Sequence, residues 1–167
     1  TQQTITWQAS SNVSNIRIEY TSNNGVSWNT IINSVPATTG NYLWTIPNTA
    51  ASNLVKIRIT DVSNNNVIDS SDNNFNIRRL DLTSPNGGES FAAGSSQQIS
   101  WIANNVNNVK IEYQTSNGGT WTHIATVPAN SSPYTWTVPA TTSSEYRIRI
   151  SDATYSTIQS QSANTFK

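Results

Sequence analysis

A pattern of three short strands occurs twice in this sequence. The first copy covers residues 5–35 and reads ITWQASSNVSNIRIEYTSNNGVSWNTIINSV. The second covers residues 99–127 and reads ISWIANNVNNVKIEYQTSNGGTWTHIATV. Apolar residues alternate with polar ones along each strand, and an Asn-Gly pair separates the second strand from the third in each copy. The duplication predicts two similar units, each of which folds around its own core.

The correspondence continues to the end of each copy. Pro47 corresponds to Pro139, Arg58 to Arg149 and Asp61 to Asp152. Short strands recur every 8–12 residues, turns rich in Gly, Pro and Asn separate them, and a helical period is lacking. We therefore predict an all-β protein of two tandem immunoglobulin-like antiparallel β-sandwich domains, residues 1–79 and 80–167, with Arg78-Arg79 at the junction.

The two copies differ in what precedes the first shared strand. Residues 80–95, LDLTSPNGGESFAAGS, precede that strand in the second copy, whereas the first copy starts directly with TQQTITW. We expect the first sandwich to lack its first strand and turn. A sandwich without that strand has an edge whose backbone groups are unpaired.

Composition excludes several classes of function. Nine Lys and Arg balance nine Asp and Glu, and basic runs are lacking, so we expect neither nucleic acid nor direct membrane insertion. Cysteine is absent, which excludes disulfides and thiolate metal sites. The weakly charged surface, rich in hydroxyl and amide groups, predicts a secreted or cell-surface protein.

Four segments together resemble a known repeat: SPNGGESFAAGSSQQISW, VKIEYQTSNGGTWTHIA, YTWTVP and YRIRISD. They are similar to the immunoglobulin/fibronectin-like module of the Ser/Thr-rich, GPI-anchored membrane protein family. That family is related to the N-terminal domain of yeast cell-wall β-glucan-assembly proteins, and its module recurs in large secreted bacterial and archaeal proteins. The resemblance implies a surface setting and a spacer, adhesive or wall-associated role, without catalytic residues.

Aromatic residues are the first candidates for a binding site, because flat rings stack on sugars. The six Trp occupy matching positions in the two copies and alternate with polar residues, so we assign them to the cores. Tyr155 has no aromatic counterpart, since Asn64 occupies the equivalent position. It is the carbohydrate-contact candidate.

Oxygen-rich turns are the second kind of candidate. Residues 61–72, DVSNNNVIDSSD, contain Asp61, Asp69 and Asp72, which we consider as possible calcium ligands. The second copy keeps only Asp152 there, and we predict neither a resident metal nor another cofactor. Asn12 and Asn130 begin Asn-x-Ser sequons, which would be glycosylated only in a host with that machinery.

Charged residues at matching positions have a structural interpretation. Glu19 and Arg58, like Glu112 and Arg149, are expected to pair across neighbouring strands on an exposed face, where each pair contributes about 0.2–1 kcal/mol. The single histidine, His123, corresponds to Thr30 and is expected to face outward. We therefore predict that the protein is not an enzyme.

The sequence favours a structural or adhesive repeat module that acts in spacing, assembly or adhesion. Its expected partners are cell-surface polysaccharide or like modules of the same or neighbouring chains. One alternative is a carbohydrate-binding module of a secreted hydrolase. The other is a subunit of a surface filament, in which a strand from a neighbouring chain completes the open edge.

Overall fold

The computed structural model describes residues 2–167 and confirms the predicted all-β class. Its strands pair antiparallel throughout, and the only helical elements in the described chain are three 3₁₀ turns. The chain divides into two compact units, Thr1–Ile77 and Arg78–Lys167. In the described residues we find no helix long and apolar enough to cross a membrane.

Within its described residues the first unit has seven strands: β1 (Gln2–Thr6), β2 (Asn15–Thr21), β3 (Asn29–Pro36), β4 (Asn41–Thr45), β5 (Ser52–Asp61), β6 (Ile68–Ser70) and β7 (Phe75–Ile77). The second unit also contains seven: β8 (Arg79–Ser84), β9 (Ser96–Asn104), β10 (Asn108–Gln114), β11 (Thr122–Pro128), β12 (Tyr134–Thr137), β13 (Arg147–Asp152) and β14 (Gln159–Gln161).

The second unit is a closed sandwich of two sheets. One sheet has the strand order β12-β9-β8 and the other has the order β11-β10-β13-β14. A three-stranded sheet that faces a four-stranded one is the layout of immunoglobulin-like and fibronectin-like sandwiches. The core lies between the sheets and forms one cluster that includes Leu82 from β8, Trp101 from β9, and Ile111 and Ile150 from the facing sheet.

The first unit has the same four-stranded sheet, in the order β3-β2-β5-β6, with β7 paired to β5. Its other sheet consists of β1 and β4 alone in the described residues. Strand β1 begins at the position equivalent to the start of β9 but has five residues where β9 has nine. The four missing positions, residues 7–10, are equivalent to those that β8 pairs with in the second unit.

The core of the first unit is correspondingly divided. Its buried residues form two clusters, one around Ile18 and one around Trp44. Ile57 and Ile59 on β5 are half-buried, whereas their counterparts Ile148 and Ile150 are fully buried. The difference follows from β8, which places its two leucines in the core of the second unit and has no equivalent in the described first unit.

The division between the units falls between Ile77 and Arg78, two residues before the expected start of the second domain. Both arginines belong to the second unit for physical reasons. Arg79 is the first residue of β8 and pairs with Asn104. Arg78 forms an ion pair with Asp152, 3.5 Å from Nε to Oδ2.

The Asn-Gly turn forms in the first unit as its sequence predicts. Asn24 and Gly25 both have positive φ, 58° and 89°, as a type I′ turn requires. The flanking strands nevertheless end before the turn, and side chains hold the intervening loop. The hydroxyl oxygen of Thr21 accepts hydrogen bonds from the backbone N–H groups of Asn23 and Gly25.

We predict that the two units unfold in separate steps and that the first unit unfolds first, since its core is divided and less buried. Ile18→Ala and Ile111→Ala form a matched pair, because both side chains are fully buried at corresponding positions. Each substitution is expected to destabilise by about 3–4 kcal/mol. Calorimetry should show that Ile18→Ala shifts the first transition and Ile111→Ala the second. A single transition that both variants shift equally would contradict the prediction.

Candidate functional sites

A charged and aromatic stack lies on the outer face of the four-stranded sheet in both units. In the first unit β2 and β5 place Glu19 directly opposite Arg58. Nε and Nη2 of Arg58 donate hydrogen bonds to Glu19 Oε2 at 2.9 and 2.8 Å. The guanidinium carbon lies 4.1 Å from the centre of the Trp28 ring. The indole thus covers the arginine, which in turn neutralises the glutamate.

The second unit repeats this stack with the equivalent residues. Glu112 lies opposite Arg149, whose Nε and Nη2 donate to Glu112 Oε2 at 3.0 and 2.7 Å. The Arg149 guanidinium lies 4.4 Å from the centre of the Trp121 ring. Lys110 adds a further ion pair at 2.6 Å to the other carboxylate oxygen. The repeated geometry identifies the stack as part of the fold that both units share.

This geometry corrects two sequence-based expectations. Glu19 and Glu112 lie on the outer face as expected but are not exposed there, since only 8% and 4% of their surface is accessible. Trp28 and Trp121 are not core residues. They are half-buried on the outer face, where their indoles cover Arg58 and Arg149. The alternation of apolar and polar residues assigns these two Trp to the wrong face because each follows the hairpin loop, where the alternation along the strand is interrupted. Trp44, Trp101 and Trp136 are buried as predicted.

Burial and ion pairing act in opposite directions on Glu112. Burial by itself raises the pKa of this carboxyl, but hydrogen bonds and positive charge from Lys110 and Arg149 outweigh it and hold the pKa below its ordinary value. Glu89 behaves similarly. Burial raises its pKa, whereas hydrogen bonds from the backbone N–H groups of Asn86 and Gly87 lower it on balance.

An open groove runs along β1 in the first unit. It consists of two adjoining cavities of about 410 and 190 Å³, which share Ile59 and Asp69 in their linings. We call it the β1 groove: β1 and residues 7–10 form one wall, and β5 and β6 form the other. Its floor is apolar, with Ile5, Ile57 and Phe75 half-buried.

The equivalent space in the second unit is filled by residues 79–91. Leu80 and Leu82 of β8 are buried there. The Leu82 N–H donates to Ser160 Oγ at 3.0 Å, and the Ser162 hydroxyl donates to the Pro85 carbonyl at 3.0 Å. Phe91 then packs edge-on against Phe166, the counterpart of Phe75. The β1 groove of the first unit corresponds in position to the space that β8 fills in the second unit.

Tyr155, the carbohydrate-contact candidate, lies in the turn between β13 and β14 and is 50% exposed. The guanidinium of Arg78 lies 4.2 Å from the centre of its ring and covers one face. Arg78 also pairs with Asp152, which accepts hydrogen bonds from the backbone N–H groups of Thr154 and Tyr155. The tyrosine is thus one member of a turn cluster, and only one ring face is available for stacking.

The three calcium candidates do not converge. Asp61 is buried and its Oδ1 accepts hydrogen bonds from the Ser63 hydroxyl and backbone N–H, which lower its pKa. Asp69 Oδ1 accepts the neighbouring N–H of Ser70. Asp72 is exposed at the groove. Across residues 2–167, no three His, Asp or Glu side chains lie close enough together to hold a metal ion.

The remaining candidates are separate surface residues. His123 is exposed on β11, and its Nε2 lies 3.1 Å from the Thr126 hydroxyl. Asn12 and Asn130, the sequon residues, are both exposed outside the strands. His123 forms no ion pair in the described structure.

Comparison with known proteins adds no identification. No protein-family model and no curated protein matches this sequence. The internal repeat and the geometry of the two units therefore carry the functional argument.

We predict that Glu112→Gln destabilises the second unit by about 2–3 kcal/mol, because it leaves Arg149 without its charged partner beneath the indole. Glu145→Gln, a substitution at an exposed carboxylate of the same unit, should change stability by less than about 0.5 kcal/mol. Urea unfolding followed by circular dichroism measures both. Equal effects of the two variants would show that the stack contributes no more than an ordinary surface residue.

A pH dependence follows from the lowered pKa of Glu112 and Glu89. Because folding lowers these pKa values, the stabilisation is complete above the carboxyl pKa of the unfolded chain and is lost as pH falls through the folded-state pKa. We expect the melting temperature of the second unit to fall between about pH 5 and pH 3. Glu112→Gln should have a flatter profile than Glu145→Gln. Identical slopes would remove Glu112 from the explanation.

Proposed function

We propose that this chain is a non-enzymatic structural repeat module of a secreted or cell-surface protein, with a role in spacing and assembly. The observation that carries this proposal is the duplicated Glu–Arg–Trp stack. Tryptophan and arginine are the residues most enriched in binding hot spots. Here both units use them in the same intramolecular contacts, with Glu19 and Glu112 as their partners.

Catalysis has little support in the geometry. The stack glutamates are each held by cations on their own sheet, so neither is available as a general base. The single histidine lies exposed with a threonine hydroxyl as its nearest polar partner. A spacer, by contrast, needs stable units with weakly charged surfaces, and the chain has nine basic and nine acidic residues in all.

The proposed secreted or cell-surface location is supported by the composition and by the resemblance to the surface repeat family. A weakly charged face rich in Ser, Thr and Asn suits contact with polysaccharides or like modules, where many weak hydrogen bonds add up across repeated units. We include both as partners in the proposal. Neither nucleic acid nor a membrane interior offers matching chemistry to a surface of this kind.

Co-sedimentation with insoluble polysaccharides tests the proposal against a carbohydrate-binding module. The wild-type chain, Tyr155→Ala and the control Thr154→Ala are mixed with cellulose, chitin, β-glucan and isolated cell wall. We expect the three proteins to remain together in the supernatant or to bind only weakly and equally, since one half-covered ring is a poor sugar platform. Strong binding that Tyr155→Ala abolishes and Thr154→Ala preserves would replace the structural proposal with a carbohydrate-binding one.

A further inference from the structure

Three Asn-Gly pairs occur in the sequence: Asn24-Gly25, Asn86-Gly87 and Asn117-Gly118. Such a pair is chemically labile, because glycine has no Cβ to obstruct attack of its backbone nitrogen on the preceding side-chain amide. The attack requires the glycine N–H to lose its proton, so a hydrogen bond from that N–H opposes the reaction. All three asparagines are exposed, and exposure alone does not distinguish them.

The pair in the hairpin of the first unit is protected by a neighbouring hydroxyl. The Gly25 N–H donates a hydrogen bond to Thr21 Oγ1 at 3.0 Å. Thr21 is fully buried, and its hydroxyl donates to Asn23 Oδ1 at 2.7 Å. The same amide oxygen accepts the Ser27 N–H at 3.0 Å. The acceptor of the Gly25 N–H is therefore held in place by the rest of the loop.

The pair before β9 is protected more strongly, by a carboxylate. The Gly87 N–H donates to Glu89 Oε2 and the Asn86 N–H donates to Glu89 Oε1, both at 2.8 Å. A negative charge beside an N–H disfavours loss of its proton, because the resulting anion would face that charge. Asn86 Oδ1 also accepts the Ala163 N–H at 2.9 Å. Both reacting groups of this pair are thus engaged.

The pair in the hairpin of the second unit has no such protection. Across residues 2–167, no backbone or side-chain acceptor binds the Gly118 N–H. The Ser116 carbonyl accepts the Gly119 N–H at 2.9 Å, so Asn117 and Gly118 are the two central residues of a turn, and both are exposed. The space around Gly118 is open, since a Cβ there would meet nothing within 4 Å.

One sequence difference accounts for the contrast between the two hairpins. Residues 21–28 and 114–121 align without a gap, and Gln114 occupies the position of Thr21. Gln114 is buried as Thr21 is, but its side chain carries an amide further from the backbone than the Thr21 hydroxyl. The second hairpin therefore keeps the Asn-Gly pair and lacks the hydroxyl that binds its glycine N–H.

We propose that Asn117 is a site of spontaneous covalent modification, where the Gly118 nitrogen attacks the side-chain amide and converts the asparagine into aspartate and isoaspartate. The nitrogen loses its proton and bonds to Asn117 Cγ. The bond from Cγ to Nδ2 breaks, and Nδ2 leaves as ammonia with that proton. Water then opens the cyclic imide, at the side-chain carbonyl to give aspartate or at the backbone carbonyl to give isoaspartate.

The modification changes the attachment of the hairpin turn in the second unit. The Asn117 N–H donates to Glu145 Oε2 at 3.2 Å, and the Ser143 hydroxyl donates to the Thr115 carbonyl at 2.6 Å. A new carboxylate at position 117 would lie near that of Glu145, and like charges repel. Isoaspartate also lengthens the backbone of the turn. Because the reaction needs only water, the assignment does not depend on the proposed surface role.

Mass spectrometry of the full chain tests the proposal. The protein is incubated in mildly alkaline heavy-oxygen water, and its proteolytic peptides are analysed at intervals for exchange of an amide for a labelled carboxyl group. We expect Asn117 to react first, Asn24 about fivefold more slowly, and Asn86 more than about tenfold more slowly, as expected for hydrogen bonds to a neutral and to a charged acceptor. Reaction at Asn24 or Asn86 as fast as at Asn117 would overturn the assignment.

Reciprocal substitutions test the cause of the difference. Gln114→Thr supplies the hydroxyl to the second hairpin and should slow the reaction at Asn117 about fivefold, whereas Thr21→Gln should accelerate the reaction at Asn24 by about the same factor. Partial unfolding accelerates these reactions, so slowing at Asn117 cannot arise from damage to the fold. Unchanged rates in both variants, with the native circular dichroism spectrum retained, would contradict the proposed protection.

The unfolded chain provides the reference for both experiments. In concentrated urea the three pairs lose their hydrogen bonds and should react at similar rates, because a glycine follows each asparagine. If Asn117 kept its full lead over Asn24 and Asn86 in urea, the neighbouring sequence rather than the folded turn would determine the site, and the proposal would fail. Convergence of the three rates supports it.

Discussion

Closure of the sandwich by its first strand is the constraint on which both units depend. Strand β9 pairs with β12 along residues 96–99 and with β8 along residues 100–104, so β8 gives the second half of β9 its strand partner. The leucines of β8 complete a single apolar cluster between the sheets. Without an equivalent strand in the described first unit, β1 ends early and the apolar residues divide into two clusters. Strand β8 thus determines both the length of β9 and the continuity of the core.

The charged stack works by a different principle from the core. Burying a carboxylate is unfavourable unless it is paired. In each unit two cations pair with the glutamate, Arg17 and Arg58 with Glu19 and Lys110 and Arg149 with Glu112, and an indole covers the shared arginine position. The arginine is the central member because its flat guanidinium stacks on the indole while its N–H groups bind the glutamate. The choice of residues on the outer face of the sheet is therefore constrained as closely as the choice of residues in the core, although the outer residues are mostly polar.

Much of the fold follows from the sequence, because the two copies reinforce each other. The all-β class, most strand positions and the positive φ values at Asn24 and Gly25 could be predicted from alternation and turn chemistry. The position of Trp28 and Trp121 could not. Each Trp follows a loop whose length does not fix which face the next residue occupies, so a pattern read through the loop assigns the wrong side. The burial of Glu19 was missed for the same reason, since the indole that covers Arg58 was assigned to the core.

The site could be predicted only in outline. The size of the groove and its three aspartates depend on how β5 and β6 approach β1 in space, which the sequence pattern does not show. Asp61 and Asp69 stand out in the sequence as oxygen-rich residues, and calcium is the usual interpretation of such a turn. The structure instead gives the two carboxylates separate partners: Asp61 accepts hydrogen bonds from the Ser63 hydroxyl and N–H, and Asp69 accepts one from the Ser70 N–H.

The duplicated charge pair also has a consequence for folding. Glu19 with Arg58 and Glu112 with Arg149 fix the alignment of two strands in each unit, since a shift by two residues would separate the opposite charges. Because both units use the same pair, it cannot distinguish a strand of one repeat from the corresponding strand of the other. That discrimination depends on the residues that differ, such as Val55 against Tyr146 and Thr21 against Gln114. In a protein built from many such repeats, divergence at these positions protects neighbouring units from pairing with each other as they fold.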